Sequence, residues 1–304
     1  MFGLNGRIAR SAPAGVLALL SSFGWSADQS SMELPQHQTR QAINPRDGLR
    51  YSWIPAGEFR YSGSPTKPKA IDRVPARHVV ITRGFWLGQT EVTIRAFRKF
   101  AAQKPQPSWE NRQRLGVIDD LPVDPSNWPS AEEFCAWSGG RLPTEAEWDY
   151  ALLGGASSLS SFRYGRLDSI AWYLANSNDR PHPVAQKRPN TFVLYDMLGN
   201  LAEMVSDWWD SDDLIWGFGG YPSPGKETDP LVTREAIVAR HPQLFRWFVD
   251  KKSIRNRVLK GGNYRDEEQR FEEPTRLPEV SKCGWMPCAG HFKGFRCVWS
   301  GPQV

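Results

Sequence analysis

The sequence predicts one mixed domain of short strands and short helices, connected by long irregular segments. Its 304 residues include 26 Gly and 24 Pro, and both residue types interrupt helices, so long helices are excluded. Hydrophobic residues make up 40% of the chain and aromatic residues 12%, which is enough apolar material for a core. No repeat or linker-like stretch follows residue 50, so we expect one continuous domain over residues 50–304.

Composition also argues against two broad classes of protein. The mean hydropathy is −0.52 and long apolar runs are absent, which argues against a multi-span membrane protein. The net charge of +5 is spread along the chain rather than gathered in a dense Lys/Arg stripe. We therefore expect no nucleic-acid partner.

Residues 1–26 have the layout of a secretory signal peptide. Arg7 and Arg10 precede a short apolar stretch, and small residues follow it up to the expected cleavage site. The apolar stretch is too short to span a bilayer, so we expect a periplasmic or secreted protein with no transmembrane span in the mature chain. A disordered N-terminal tail is the alternative. Residues 27–49 are polar and are predicted to form a disordered tether.

The first elements of the domain are short strands followed by a helix. Arg50–Phe59 contains aromatic and β-branched residues around a Pro-Ala-Gly turn, which predicts a strand and its turn. His78–Thr82 and Gly84–Gly88 predict two more strands. Thr93 can cap a helix in which apolar residues recur every third position as far as Phe100.

Two further short helices are predicted by capping boxes. Ser130 and Glu133 form an S-x-x-E pattern ahead of an apolar run, and Thr144 and Glu147 form a T-x-x-E pattern ahead of the next. A pair of glycines follows each run and can end the helix.

Residues 228–257 form a basic amphipathic insertion. Seven Lys and Arg residues alternate with large apolar residues in this segment. A surface flap that covers the core is one interpretation. The other is a docking or lid element, so we expect a protein partner to bind through this segment, and a membrane-anchored protein is one such partner.

The usual catalytic signatures are absent from the sequence. It contains no G-x-S-x-G, H-E-x-x-H, phosphate-loop or G-x-G-x-x-G pattern. The five histidines are scattered, and none lies at metal-ligand spacing from another.

An acidic group around a Gly-Asn turn suggests calcium. Asp196, Asn200, Glu203 and Asp207 supply hard oxygen ligands, and the turn frees backbone carbonyls. The alternative is the exposed acidic face of a short helix.

The four cysteines suggest disulfides in an exported chain. Cys283 and Cys288, with His291 nearby, could bind copper or undergo redox chemistry, or could form a local disulfide. A zinc site that also uses Cys297 is a further alternative, although the spacing matches no common zinc module.

Several blocks together resemble the sulfatase-modifying-factor, or formylglycine-generating-enzyme, family. The block RLPTEAEW at Arg141–Trp148 carries most of the resemblance, which extends over nearly all residues from Arg50 onward. The other blocks follow in the family's order: Trp53–Phe59, Glu91–Thr93, Pro183–Val184, Leu194–Asn200, Ser206–Trp209, Leu259–Gly262 and Gly294–Cys297.

The resemblance implies an α+β fold related to C-type lectins, with little regular secondary structure. It also implies bound structural calcium: Asn200, Leu201 and Glu203 match one calcium-binding block of the family, and Asn176 matches an asparagine at the family's other calcium site. Cys135 and Cys297 match a pair that is disulfide-linked in family members. That pairing leaves Cys283 and Cys288 to each other.

The chain departs from the family pattern where the copper site is expected. Formylglycine-generating enzymes bind copper through two cysteines just after an R-G-G-S block, and this chain has Lys260–Asn263 there. The following run, residues 264–271, contains no cysteine. Cys283 and Cys288 keep the C-x4-C spacing but come later in the chain. Bound copper or iron is therefore not expected.

These features predict an exported, non-catalytic binding or regulatory protein. It resembles type VI secretion accessory proteins that act upstream of a regulatory kinase. The alternative is a divergent, oxygen-dependent oxidoreductase similar to family members that mature pyoverdine. A true formylglycine generator acting on sulfatases is a third possibility, and Cys283 and Cys288 are the candidate catalytic residues for either enzyme.

Overall fold

The computed structural model describes the chain in segments, and twelve strands and four α-helices lie within them. The described residues are 39–61, 77–104, 118–125, 127–156, 165–208, 226–231, 233, 235–236, 239, 257–271, 277–278 and 293–302. The strands are β1 (Gln41–Ile43), β2 (Arg50–Ile54), β3 (Gly57–Tyr61), β4 (Arg77–Ile81), β5 (Phe85–Gly88), β6 (Gly140–Arg141), β7 (Ala202–Trp208), β8 (Lys226–Thr228), β9 (Arg257–Lys260), β10 (Leu277–Pro278), β11 (Lys293–Gly294) and β12 (Val298–Trp299). The helices are α1 (Ile94–Ala101), α2 (Trp128–Trp137), α3 (Glu145–Leu153) and α4 (Leu167–Ile170).

The strands form three small sheets. The first has the order β1-β2-β5-β12-β6, the second β10-β9-β7-β11, and the third β3-β4-β8. Strands far apart in sequence are neighbours in these sheets. In the first sheet, for example, β12 lies between β5 and β6. This mixture of short strands, short helices and long loops is the α+β architecture with little regular secondary structure that the sequence predicted.

The fold begins before residue 50, so residues 41–49 belong to the domain and not to the predicted tether over residues 27–49, of which residues 27–38 lie outside the described part of the chain. β1 pairs antiparallel with β2, so residues 41–43 are part of the first sheet. Asn44 and Asp47 are buried in the loop after β1. The Asp47 carboxylate accepts hydrogen bonds from the backbone N–H of Leu49 and from the hydroxyl of Tyr51. Polar side chains with such partners belong to a fold, although their composition resembles that of a linker.

The helices start at caps that the sequence largely predicted. Thr93 caps α1 by accepting a hydrogen bond from the N–H of Ala96. Thr144 and Glu147 form the predicted capping box of α3, and Gly154 ends that helix in the left-handed conformation. The predicted capping box at Ser130 is wrong. Helix α2 begins at Trp128, two residues before Ser130, and Asn127 is its N-cap.

Two apolar clusters fill the interior between the sheets and helices. One gathers the aromatic residues of α1 and α2 against Phe295, and the other lies between α3 and strands of all three sheets. A disulfide between Cys135 of α2 and Cys297, just before β12, crosses the first cluster. The resemblance had implied this pairing. Among the described residues, no helix is long and apolar enough to cross a membrane.

Candidate functional site

The sequence-predicted calcium residues lead to a group of buried charges that we call the buried acidic cluster. It consists of Glu91, Asp196, Asn200, Glu203 and Arg296, none of which exposes more than 1% of its surface. Glu91 follows β5, the two residues Asp196 and Asn200 belong to the turn before β7, and Arg296 lies between β11 and β12. Three separate parts of the chain therefore converge on one point.

Arg296 is the cation of the cluster. Its Nε and Nη2 donate to the two carboxylate oxygens of Glu203, at 2.7 and 2.5 Å. Its remaining N–H groups donate to the backbone carbonyls of Gly88, Gln89 and Tyr195 at 2.9–3.2 Å. Such a bidentate pair, with its remaining donors also satisfied, is the arrangement that makes a buried ion pair tolerable.

Glu91 and Asn200 hold the turn before β7 in place. One oxygen of Glu91 accepts from the N–H of Leu201 at 2.9 Å, and the other accepts from the Asn200 amide at 3.0 Å. The Asn200 side-chain oxygen in turn accepts from the N–H of His182. Asn200 adopts a positive φ of 55°, a conformation that asparagine tolerates better than most residues.

Among the described residues of the cluster, Asp196 is the one with a buried oxygen that has no hydrogen-bond partner. Its Oδ2 accepts from the N–H of Ala185 at 2.7 Å, whereas its buried Oδ1 has no hydrogen-bond partner. Burial raises the pKa of the Asp196 carboxyl to about 6. A buried carboxylate oxygen without a donor is costly unless a proton, a water or a cation reaches it.

The electrostatics show that the cluster has too little positive charge. Burial, followed by the charges of Asp196 and Glu203, raises the pKa of Glu91 well above its ordinary value. Desolvation acts to lower the pKa of Arg296, but the carboxylate of Glu203 outweighs it and the pKa is raised. Arg296 thus stays protonated, while Glu91 and Asp196 resist ionisation.

Helix α3, which carries the second half of the RLPTEAEW block, connects this cluster to a second buried ion group. The indole N–H of Trp148 donates to Glu203 at 2.8 Å. On the same helix, the carboxylates of Glu145 and Asp149 form ion pairs with the ammonium of Lys260, at 3.3 and 2.9 Å. All three side chains are buried. The most recognisable block of the sequence therefore builds the interior.

Three of the four predicted calcium ligands already have side-chain partners within the protein. Glu203 faces Arg296, and the Asn200 oxygen is used by a backbone N–H. Asn176 lies in another turn, where its oxygen accepts from the N–H of Tyr173. Among the described residues no three His, Cys, Asp or Glu side chains are arranged around a metal position. One buried oxygen of this region, Asp196 Oδ1, lies without a hydrogen-bond partner near the tight turn at Gly199.

Asp207 lies apart from the cluster, and the alternative of an exposed acidic face is wrong. Asp207 is buried in β7 and accepts from the N–H of Glu145 at 2.7 Å, at the start of α3. Asp196 and Glu203 are buried as well. Residues 202–208 form a strand rather than a helix.

The run after Lys260–Asn263 forms a closed turn. The Asp266 carboxylate accepts from the backbone N–H and the side-chain amide of Asn263, at 2.8 and 3.1 Å. The Phe271 ring packs edge-on against Tyr173, with ring centroids 6.0 Å apart. A Cβ on Gly262 would lie 2.9 Å from Phe271 and 3.0 Å from Asp266, so these two side chains pack closely on the glycine.

Two sets of predicted residues fall outside the described part of the chain. They are the candidate catalytic pair Cys283 and Cys288, and most of the basic insertion 228–257, of which residues 228–231, 233, 235–236, 239 and 257 are described and Thr228 ends β8. The predicted signal peptide lies outside it too.

Sequence reasoning missed three charged residues of the interior, Glu91, Arg296 and Lys260. Each lies in a family block, but more than 90 residues separate each of the pairs that they form, so no spacing rule joins them.

Comparison with known proteins agrees with the fold. A family model described as "Sulfatase-modifying factor enzyme 1-like domain" matches residues 37–301. The formylglycine-generating enzyme of Streptomyces coelicolor is 35% identical over 228 residues, covering 55% of this chain and 72% of that enzyme. The bovine (Bos taurus) formylglycine-generating enzyme is 35% identical over 105 residues, 30% of this chain and 28% of the enzyme. The match thus spans under a third of the bovine protein.

A kinase and two solved structures complete the comparison. The serine/threonine-protein kinase Pkn1 of Chlamydia trachomatis is 30% identical over 195 residues, covering 57% of this chain and 30% of the kinase. Treponema denticola variable protein 1 has a TM-score of 0.58 and 21% identity, over 86% of this chain and 98% of that one. PvdO from Pseudomonas aeruginosa has a TM-score of 0.57 and 18% identity, over 86% and 97%. At these identities the two structures support the fold alone.

Proposed function

The chain belongs to the sulfatase-modifying factor enzyme 1-like family, and we propose that it is a binding member of that family rather than a formylglycine generator. In this proposal the scaffold presents surfaces to a protein partner. In this proposal the chain does not oxidise the cysteine of a sulfatase, as the enzymes of the family do.

The observation that carries this proposal is the turn over residues 263–271. Copper-dependent members have two thiolates just after the corresponding block. Here the run contains no cysteine, Asp266 caps the turn, and Phe271 packs on Gly262 and Tyr173. The three carboxylates of the run, Asp266, Glu267 and Glu268, are hard oxygen ligands, and that of Asp266 is already held by two N–H groups. They are therefore poor ligands for the soft metal ion that thiolates bind.

We propose further that the protein is exported and acts as a regulator near a kinase. The signal-like residues 1–26 support export, and the similarity to the Pkn1 kinase supports a signalling context. Type VI secretion accessory proteins, which the sequence resembles, are a functional parallel in this proposal. The basic insertion 228–257 is the segment through which a membrane-anchored partner would bind in this proposal.

A structural calcium ion is part of the proposal. Asp196 is the residue that would hold it, because its buried Oδ1 has no partner and the surrounding carboxylates exceed the available positive charge. The ion would stabilise the turn before β7 and would take no part in chemistry.

An oxygen-electrode experiment tests the main proposal. The chain is supplied with Cu⁺, a thiol reductant and a cysteine-containing sulfatase peptide, and the Streptomyces coelicolor relative serves as the active control. We expect no peptide-dependent oxygen uptake by the chain. Uptake that Cys288→Ser abolishes would overturn the proposal and establish relocated thiols. Uptake that persists in that variant would favour the divergent oxidoreductase instead.

The partner component is tested separately. The full chain and a variant with residues 229–256 replaced by a Gly-Ser linker of equal length are used to capture proteins from solubilised membranes. We expect one partner to be enriched by the full chain and lost from the variant. Equal recovery by both proteins would remove the insertion from the proposal.

A further inference from the structure

An open groove lies beside the first sheet, away from the buried acidic cluster. It has a volume of about 1160 Å³ and is lined by the loop after β1, the start of β5, strand β6 and the end of the chain from β12. Pockets for small molecules range from about 300 to 1,000 Å³ and enclose their ligands. The size and openness of this groove suit a segment of a polymer better than a small molecule.

Tryptophans form the floor of the groove. Trp86 of β5 and Trp299 of β12 are direct cross-strand partners, with ring centroids 6.2 Å apart and planes tilted by 54°. Trp53 packs edge-on against Trp86 from the other side. Trp86 is half-buried, whereas Trp299 exposes only 8% of its surface. Trp86 is therefore the more exposed part of this aromatic floor.

The rim of the groove is positive. Arg46 and Arg141 are exposed there, and the described lining includes no Asp or Glu. Arg141 forms a bidentate pair with Glu147, which lies behind it. Arg46 donates to the carbonyl of Trp137, and no carboxylate pairs with it in the described part of the chain. The rim therefore carries one guanidinium that has no carboxylate partner among the described residues.

The apolar rim favours a peptide over a carbohydrate. Ile43 exposes 55% of its surface at the edge of the groove, and Pro45 beside it is also exposed. Rings tilted by 54° give no flat platform on which successive sugar rings could stack. Aromatic-lined grooves of this kind bind extended, proline-containing peptides, because such peptides are already ordered before binding.

We propose that this groove binds an extended, acidic, proline-containing segment of a partner protein. The proposal rests on the proposed binding function and adds a second contact surface to it, separate from the insertion 228–257. Proline rings would contact Trp86 and Trp299, and a carboxylate would pair with Arg46.

Fluorescence anisotropy with a labelled (Pro-Glu)₅ peptide and the full chain tests this proposal. We expect saturable binding that weakens as salt is added, because the arginine contribution is screened. Unlabelled (Pro-Lys)₅ and tetragalacturonate are the competitors, and neither should displace the peptide at equal concentration. Displacement by tetragalacturonate would assign the groove to anionic glycans and overturn the proposal, as would displacement by (Pro-Lys)₅ or a complete lack of peptide binding.

Matched variants locate the binding site. Arg46→Glu should weaken peptide binding at least tenfold, and Trp86→Phe should weaken it by a smaller factor. Arg166→Glu makes the same charge change at a side chain that is 91% exposed and lies outside the groove, so it should bind normally. Equal affinity of the Arg46→Glu and Arg166→Glu proteins would overturn the proposal. Failure of the peptide to bind, or failure of the variants to differ, would leave the result of the oxygen-electrode experiment unaffected. The proposed function is therefore tested independently of the groove.

Discussion

Replacing Arg296 with methionine should strongly destabilise the fold. The side chain is fully buried, and it supplies the charge that balances Glu203. The substitution removes two hydrogen bonds to Glu203 and three to backbone carbonyls, and it leaves buried carboxylates without a cation. Removing one member of a buried ion pair costs about 3 to 5 kcal/mol, so we expect Arg296→Met to lower the free energy of unfolding by about 4 kcal/mol.

Urea denaturation at pH 7 measures this loss, and Arg95→Met is the matched control. Arg95 also pairs with an aspartate, Asp120, but both side chains are more than half exposed, so that substitution should cost less than about 1 kcal/mol. Adding Glu203→Gln to Arg296→Met should recover about 2 kcal/mol, because it removes the uncompensated charge. If Arg296→Met does not fold, the double variant provides the measurement.

The reasoning is refuted if Arg296→Met costs no more than Arg95→Met. It is also refuted if the effects of Arg296→Met and Glu203→Gln are simply additive. Either result would mean that the buried cluster does not depend on its arginine.

Three further predictions follow from other parts of the fold. Replacing Cys135 and Cys297 with alanine opens a cross-link between residues 162 positions apart, which should lower stability by about 5 kcal/mol in urea; unchanged stability would contradict the disulfide. Burial raises the pKa of Asp47 to about 6 in the folded protein. The stability that comes from protonating this carboxyl is therefore fully present below about pH 4 and is lost as the pH rises through 6. The free energy of unfolding of Asp47→Asn, relative to that of the natural protein, should therefore rise by about 2 to 3 kcal/mol between pH 4 and pH 7.5. A difference that does not change with pH would contradict this. Calcium should raise the melting temperature relative to a chelator, and Asp196→Asn should abolish the rise; equal melting temperatures would exclude the ion.

Local signals in the sequence predicted the elements of the fold well. The capping box at Thr144 and Glu147 appears as predicted, because its hydrogen bonds form within one turn of chain. At the start of α2, Asn127 caps the helix in place of Ser130, since both residues have suitable side chains and packing decides between them.

The site was less predictable, because its contacts are remote in sequence. The pair of Arg296 with Glu203 and the pair of Lys260 with Glu145 each join residues about 100 positions apart. The groove floor is likewise assembled from β5 and β12, at opposite ends of the domain. Only the resemblance to the family suggested that these blocks meet, and it did not indicate which charges would pair.

The most direct test of the account is the mass of a cysteine-containing sulfatase peptide after incubation with the copper-supplied chain in air. The Streptomyces coelicolor enzyme, run in parallel, should convert the cysteine to formylglycine. We expect the peptide incubated with this chain to keep its cysteine unchanged, because residues 264–271 offer no thiolate for copper. Formylglycine in that peptide would contradict the proposal that the chain is a binding protein.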